Sequence, residues 1–288
     1  MLTMLAKDRT ALLGSLLQVQ RAAQKLILAS TDEQQRAAAW STPGVDPSHE
    51  PRIGWTANAP SESARVAIRR GAQVSLEHME ALFVLARHKS GFSVALAAVT
   101  RAALEAFGRV FWLAEADSIE EVLRRLASQE FYDLKFPVRN GKTVTRFSRV
   151  HRSESTAADY RQSIGAWATQ CGIKLEELGP GAAARLVLDR SHTEPQAGII
   201  YSDLSAVAHG QGGATANFYD YTTRTLRLDE QQLIEYSLYL IEAARVVADA
   251  IAERFGVGSA AVGAWAAVNS SVDERLNFIR PSGATQTD

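Results

Sequence analysis

The chain has 288 residues, 46% of them apolar, with 31 Lys and Arg against 32 Asp and Glu. The near-neutral charge excludes a general attraction to nucleic acid or to an anionic membrane surface, and the apolar fraction, with a mean hydropathy of −0.11, excludes a disordered chain. The single cysteine, Cys171, excludes an intramolecular disulfide and a thiolate zinc site.

The expected place of Cys171 is as a small buried hydrophobe. The first residues carry no basic run before an apolar core, so no signal peptide is expected. From Leu5 to about Trp40, Leu12, Leu13, Leu16, Leu17, Val19, Leu26 and Ile27 recur on one helical face. Ser41 to Pro60 carries Pro43, Pro47, Pro51 and Pro60 and cannot be a regular helix. Ile53 and Trp55 in it suggest a loop packed against the body. Trp40 and Trp55 read more readily as anchors than as a ligand clamp.

Ser61 or Ser63 is the expected cap of a second helix running to about Lys89. Ser93 to Ala116 is a strongly apolar helix, interrupted by Arg101, Glu105 and Arg109, and these charges argue for a bundle helix over a membrane span. Ser118-Ile-Glu-Glu121 fits a capping box for a helix to about Phe136. Asn140-Gly141, between β-prone residues in Pro137–Phe147, predicts a small hairpin. Helix returns from about Ser155 to Cys171, and a shorter one covers Gly181 to Asp189. Thr193 and Pro195 open the helix that carries Tyr201, Ser205 and His209 and stops at Gly210. Ala214 to Leu228 reads as extended, two short strands. Asp229-Glu-Gln-Gln232 resembles a capping box for a helix to Phe255, and a last helix runs from Ser259 to about Phe278.

Helical patterns dominate and no βαβ alternation is visible. The expected fold class is all-α, an irregular helical bundle with one or two small β-hairpins. The expected organisation is a single helical domain over 1–288, with an N-terminal helix and Pro-rich loop (1–60) packed on the bundle and a loose tail at 281–288. The expected localisation is cytoplasmic.

The first candidate site joins two helices. Tyr201, Ser205 and His209 stand four residues apart and share one helix face. The glycines after His209 let backbone approach a ligand. Arg101 and Glu105, also four apart, form a charged pair in an apolar helix that leaves little polar surface. Such a pair needs partners, and Tyr201, Ser205 and His209 are of the right kind. The alternatives are a structural polar network, and a histidine that merely faces its own helix dipole.

The second candidate is a basic segment. Lys135, Arg139, Lys142, Arg146, Arg149 and Arg152 occur with no acid between Asp133 and Glu154, interleaved with Phe136 and Phe147. Cations beside aromatic faces suit a phosphate backbone and its bases; the plain alternative is a solvated hairpin. No metal site and no cofactor are expected. His78, with Glu77 and Glu80, lacks the paired Glu-x-x-His motifs of a helical di-iron site. No Gly-x-Ser-x-Gly elbow, Walker loop or dinucleotide fingerprint occurs.

Arg101-Ala-Ala-Leu-Glu105, followed by Tyr201-Ser-Asp-Leu-Ser-Ala-Val-Ala-His209-Gly210, resembles a group of uncharacterised bacterial helical proteins. That group carries an Arg-x-x-x-Glu pattern and a Tyr-x-x-Leu-Ser-x-x-x-His-Gly pattern. It is distantly similar to the HEPN superfamily of helical bundles, which includes RNA-cleaving toxins and defence proteins. The similarity covers residues 70 to 255. It implies an HEPN-like core and phosphodiester chemistry on RNA or a nucleotide. His209 would act as base or acid, and Arg101, held by Glu105, would stabilise phosphate charge. The nuclease members carry an arginine four to six residues before the catalytic histidine; here no arginine stands at Ser202 to Leu204 or beside them, a departure from the family pattern, and Arg101 is the residue that would substitute for it in space.

Whether the protein is an enzyme stays open at this stage. Beside the phosphodiester reading stand a non-catalytic binding or assembly protein with a structural cluster, and a small-molecule enzyme closed by the Pro-rich loop. The expected partners are RNA or a phosphate-containing ligand, with no membrane; a homodimer is one further arrangement.

Overall fold

The computed structural model describes residues 6–31, 54–56, 59–88, 93–147, 152–191, 196–227 and 229–277. Trp40, most of the Pro-rich loop, Arg149, the Thr193–Pro195 start signal and the 281–288 tail lie outside the described residues, as do the side chains of Arg146, Phe147 and Arg152.

The elements in order are α1 (Ala6–Ser30), α2 (Pro60–Arg87), α3 (Ser93–Ala114), α4 (Ile119–Asp133), α5 (Lys135–Arg139), β1 (Thr143–Phe147) and β2 (Arg152–Thr156). After these come α6 (Ala157–Gln170), α7 (Pro180–Ser191), α8 (Gln196–Ala208), α9 (Gly212–Thr215), β3 (Tyr219–Asp220), β4 (Thr225–Leu226), α10 (Glu230–Phe255) and α11 (Ser259–Leu276). The fold is all-α, with two small antiparallel strand pairs among the described residues, β1–β2 and β3–β4. Among the described residues, no helix is long and apolar enough to cross a membrane.

Helix α3 is the axis. Its apolar residues are not confined to one stripe, so it is covered on several sides, by α2, α7, α8 and α10. Leu104 and Phe107 are fully buried, each worth about 1.5–3 kcal/mol of transfer free energy. Gly108 sets the distance to α7: a Cβ there would stand 1.8 Å from the Ala183 carbonyl oxygen. Helix α1 packs against α10, α11 and α2, and its buried Leu12, Leu16, Val19 and Ile27 belong to the same core cluster as α3.

Arginines finish several helix ends, where the last carbonyls have no partner within the helix. Arg65, 7% exposed, donates to the Thr31 carbonyl just past α1 and is itself held by the Glu62 carboxylate at 2.6 and 2.8 Å. Arg9 donates to Ala86 at the end of α2. Arg125 and Arg254 donate to Trp112 and Ala114 at the end of α3.

Several sequence expectations need correction. Helix α2 starts at Pro60, with Pro in its first turn, and neither Ser61 nor Ser63 is its N-cap; Ala59 is. Ser118 does cap α4, accepting from the Glu121 amide at 3.1 Å. Glu121 does not reach back to close the box, because Arg124 and Arg125 hold its carboxylate at 2.6–2.8 Å. Asn140-Gly141 does not turn the first hairpin. It ends α5, with Gly141 at φ 59°, and the strands pair Thr143 with Thr156, one strand later than expected. The stretch from Ala214 begins with a helical turn, and only Tyr219–Asp220 and Thr225–Leu226 pair as strands. Cys171 is exposed, because it is the C-cap of α6 and stands at the helix end. Trp55 is an anchor: it is 1% exposed, with its ring 5.4 Å from that of Trp167.

Candidate functional site

The site forms where the C-terminal end of α8 meets the first half of α3. Helix α8 stops by a glycine-dependent motif. Gly210 adopts φ 66°, its amide donates to the Val207 carbonyl at 2.9 Å, and the Gln211 amide donates to Ala206 at 3.0 Å. This is the paired closure of a Schellman motif. It makes His209 the last residue before the reversal and leaves it exposed at the rim. Gly212 and Gly213 open the short helix α9.

Arg101, Glu105, Tyr201 and His209 converge there. Arg101 Nε donates to Glu105 Oε1 at 2.7 Å, and Tyr201 Oη donates to the same oxygen at 2.8 Å. Arg101 Nη1 lies 2.7 Å from His209 Nε2. Arginine has no acceptor, so Nε2 accepts and the ring proton sits on Nδ1. Neither Nδ1 nor Glu105 Oε2 has a hydrogen-bond partner among the described residues. The Arg101 guanidinium carbon stands 5.6 Å from the centre of the Tyr201 ring. That ring lies against α7 where Gly181 leaves room: a Cβ on Gly181 would stand 2.8 Å from Tyr201 Cε1.

The electrostatics follow. The Arg101 and Glu105 side chains keep 20% and 23% of their exposure. Burial works against the charge on Arg101, but its bonds to Glu105 and Tyr201 outweigh that, and its pKa is raised above the ordinary value. Burial, and then the bond to the Glu105 carboxylate, raise the pKa of Tyr201. Tyr201 is thus a held donor and no base. Ser205, one turn before His209, makes no side-chain hydrogen bond among the described residues and stands outside this network. Arg109, which continues the Arg101–Glu105 line, turns away to Asp133 at 2.7 and 2.8 Å.

The basic segment is spread over α5 and the first hairpin. Lys135 is paired with Glu177 at 2.7 Å and lies over the Tyr132 ring. Arg139 and Lys142 are exposed, and Phe136 is 69% exposed. Among the described residues, no group of three His, Cys, Asp or Glu could hold a metal ion.

A feature not anticipated from the sequence lies on the other side of Glu105. A cleft of about 470 Å³ opens between α2, α3 and α4, and Glu105, His78 and Gln129 all line it. The sequence signal for it was slight: these residues lie on three helices with no shared spacing.

Comparison of the chain with protein-family models, with curated proteins and with solved structures gives no match.

Proposed function

We propose that Arg101, Glu105, Tyr201 and His209 form a phosphate-contacting site that acts on a phosphodiester of RNA or a nucleotide, in an HEPN-like helical bundle. The observation that carries this reading is the bond from Arg101 to His209 on an exposed rim. Arginine has five N–H donors, and Glu105 and His209 engage two of its nitrogens. Glu105 and Tyr201 orient the guanidinium before any ligand arrives, which is the preorganisation that electrostatic catalysis requires.

An arriving phosphate competes with His209 for Arg101. When Arg101 turns to the phosphate, the Nε2 lone pair is released and can take the proton of the attacking hydroxyl. The new P–O bond forms as the old one breaks, and the imidazolium returns the proton to the leaving oxygen. Arg101 offsets charge on the phosphate oxygens throughout. The exposed Arg139 and Lys142, in the same basic stretch of sequence as Arg146, Arg149 and Arg152, would carry the rest of a polymeric substrate.

One observation favours a second reading, a non-catalytic cluster: the Tyr201–Glu105 bond ties α8 to α3, so the same groups also fix helix packing. The test is incubation of the purified chain with labelled RNA and with dinucleotides, beside its His209→Ala variant. Loss of cleavage with an unchanged melting temperature supports the phosphodiester site. A lowered melting temperature with no cleavage by either protein supports the packing role.

A further inference from the structure

The cleft between α2, α3 and α4 holds more unsatisfied polar chemistry than a packing defect would. Its walls are apolar where Val74, Val110 and Leu126 face it. All three helices bring polar groups to it, Arg70 and Glu130 among them, and one from each helix keeps a spare hydrogen-bonding position. His78 on α2 is half-buried and makes no hydrogen bond among the described residues. Gln129 Oε1 on α4 is buried and has no partner among the described residues. Glu105 on α3 spends Oε1 on Arg101 and Tyr201, and its Oε2 makes no hydrogen bond among the described residues. Buried polar groups in folded proteins are nearly always paired, and leaving one unpaired costs about 1–3 kcal/mol. Gln129 is such a group, and the half-buried His78 and Glu105 bring two further groups with spare hydrogen-bonding capacity to the same cleft, which is the lining of a ligand site.

The lining sets the ligand's chemistry. The unused oxygens of Glu105 and Gln129 are acceptors, so the ligand must bring hydrogen-bond donors. Of the other charged groups at the cleft, Arg109 and Asp133 are spent on each other, Glu130 accepts from Tyr160, and Arg70 is exposed to solvent. The apolar walls of Val74, Val110 and Leu126 suit a flat ring between them, with the charged groups paired or facing solvent. We infer that the cleft binds the amino-bearing face of a nucleobase, with Glu105 and Gln129 accepting from its N–H groups and His78 bonding a ring or sugar atom. Glu105 is shared with the phosphate site, so a nucleotide could occupy both. In that respect the inference rests on the phosphodiester reading, but base binding can be measured without it.

The experiment is calorimetric titration of the full chain with adenosine and cytidine, which carry an exocyclic amine, and with inosine and uridine, which carry an oxygen there. None contains phosphate. Adenosine or cytidine should bind at least tenfold more tightly than its oxo counterpart. Gln129→Leu and His78→Ala should each weaken that binding tenfold or more. Gln129→Leu should not lower the melting temperature, since it removes an unpaired buried acceptor and keeps the volume. Inorganic phosphate binding should be unchanged in both variants. No nucleoside binding at millimolar concentration, equal binding of amino and oxo forms, or binding indifferent to both variants each overturns the inference. Loss of phosphate binding in Arg101→Gln, with nucleoside selectivity intact, separates the two sites. If phosphate never binds while adenosine does, the phosphodiester reading fails and this one stands.

Discussion

Glu105 Oε1 accepts two hydrogen bonds, so its replacement and that of its partners should differ in kind. Tyr201→Phe removes one donor to a carboxylate and should cost about 1–2 kcal/mol, read from denaturant unfolding. Glu105→Ala leaves Arg101 without its anion in a largely enclosed position and should cost more, about 2–4 kcal/mol. Equal losses would mean that Arg101 is solvated once Glu105 is gone. Glu121 provides a pH signature. Its bonds to Arg124 and Arg125 hold its carboxyl at about 2, against an ordinary 4.5. A depressed folded-state pKa contributes stability above the unfolded value, lost as pH falls through the folded one. The stability advantage of the native chain over Glu121→Gln should therefore be full above pH 4.5 and fade as pH falls toward 2. Melts across that range check it; a pH-independent difference would rule out the ion pairs as its source. At this scale the sequence was legible where chemistry conflicts with surroundings. An Arg–Glu pair inside an apolar helix announced its need for partners, and His209 and Tyr201 supply them. Gln129 gave no such signal, because an amide on an amphipathic helix is ordinary until the helices are packed.

Among the elements, the α3–α7 contact is the least forgiving. A Cβ at Gly108 would meet backbone, not a side chain that could swing aside, so the two helices must separate. Gly108→Ala should destabilise by about 3 kcal/mol or more despite its better helix propensity, as measured by urea unfolding. Gly181→Ala meets only the Tyr201 ring, which can swing aside, and should cost about the 1–2 kcal/mol of the Tyr201–Glu105 bond that it displaces, less than Gly108→Ala. Helix existence was readable from periodicity throughout. The first hairpin was misplaced because Asn140-Gly141 serves a helix end as well as it serves a two-residue turn: both need φ above zero. The cap of α2 was misassigned because two serines follow Pro60, and proline in the first turn left them inside the helix.

For the molecule as a whole, the relevant quantity is where charge gathers when the net is −1. The run from Lys135 to Arg152 concentrates cations, and Arg139 and Lys142 present theirs to solvent. If that face carries RNA, binding of a labelled strand should weaken steeply between low and physiological salt, as displaced counterions compete. Arg139→Ala with Lys142→Ala should lower the slope of log affinity against log salt by about 1–2. A slope unchanged by the pair would leave the segment a solvated hairpin. No composition statistic reveals this face, since the acids that balance it lie elsewhere in the chain.

The arginines that finish the helix ends have a consequence for how the chain assembles. Arg65 reaches back to Thr31, Arg9 forward to Ala86, and Arg254 across to Ala114. Each closure therefore joins stretches 34, 77 and 140 residues apart. A helix whose last carbonyls wait for a distant guanidinium is incomplete on its own. The end of α3 is completed only when α10, late in the chain, has docked. Folding should accordingly be cooperative across the bundle, and an isolated segment spanning α2 to α4 should be a frayed, exchange-prone helix set even though it holds every residue of the cleft.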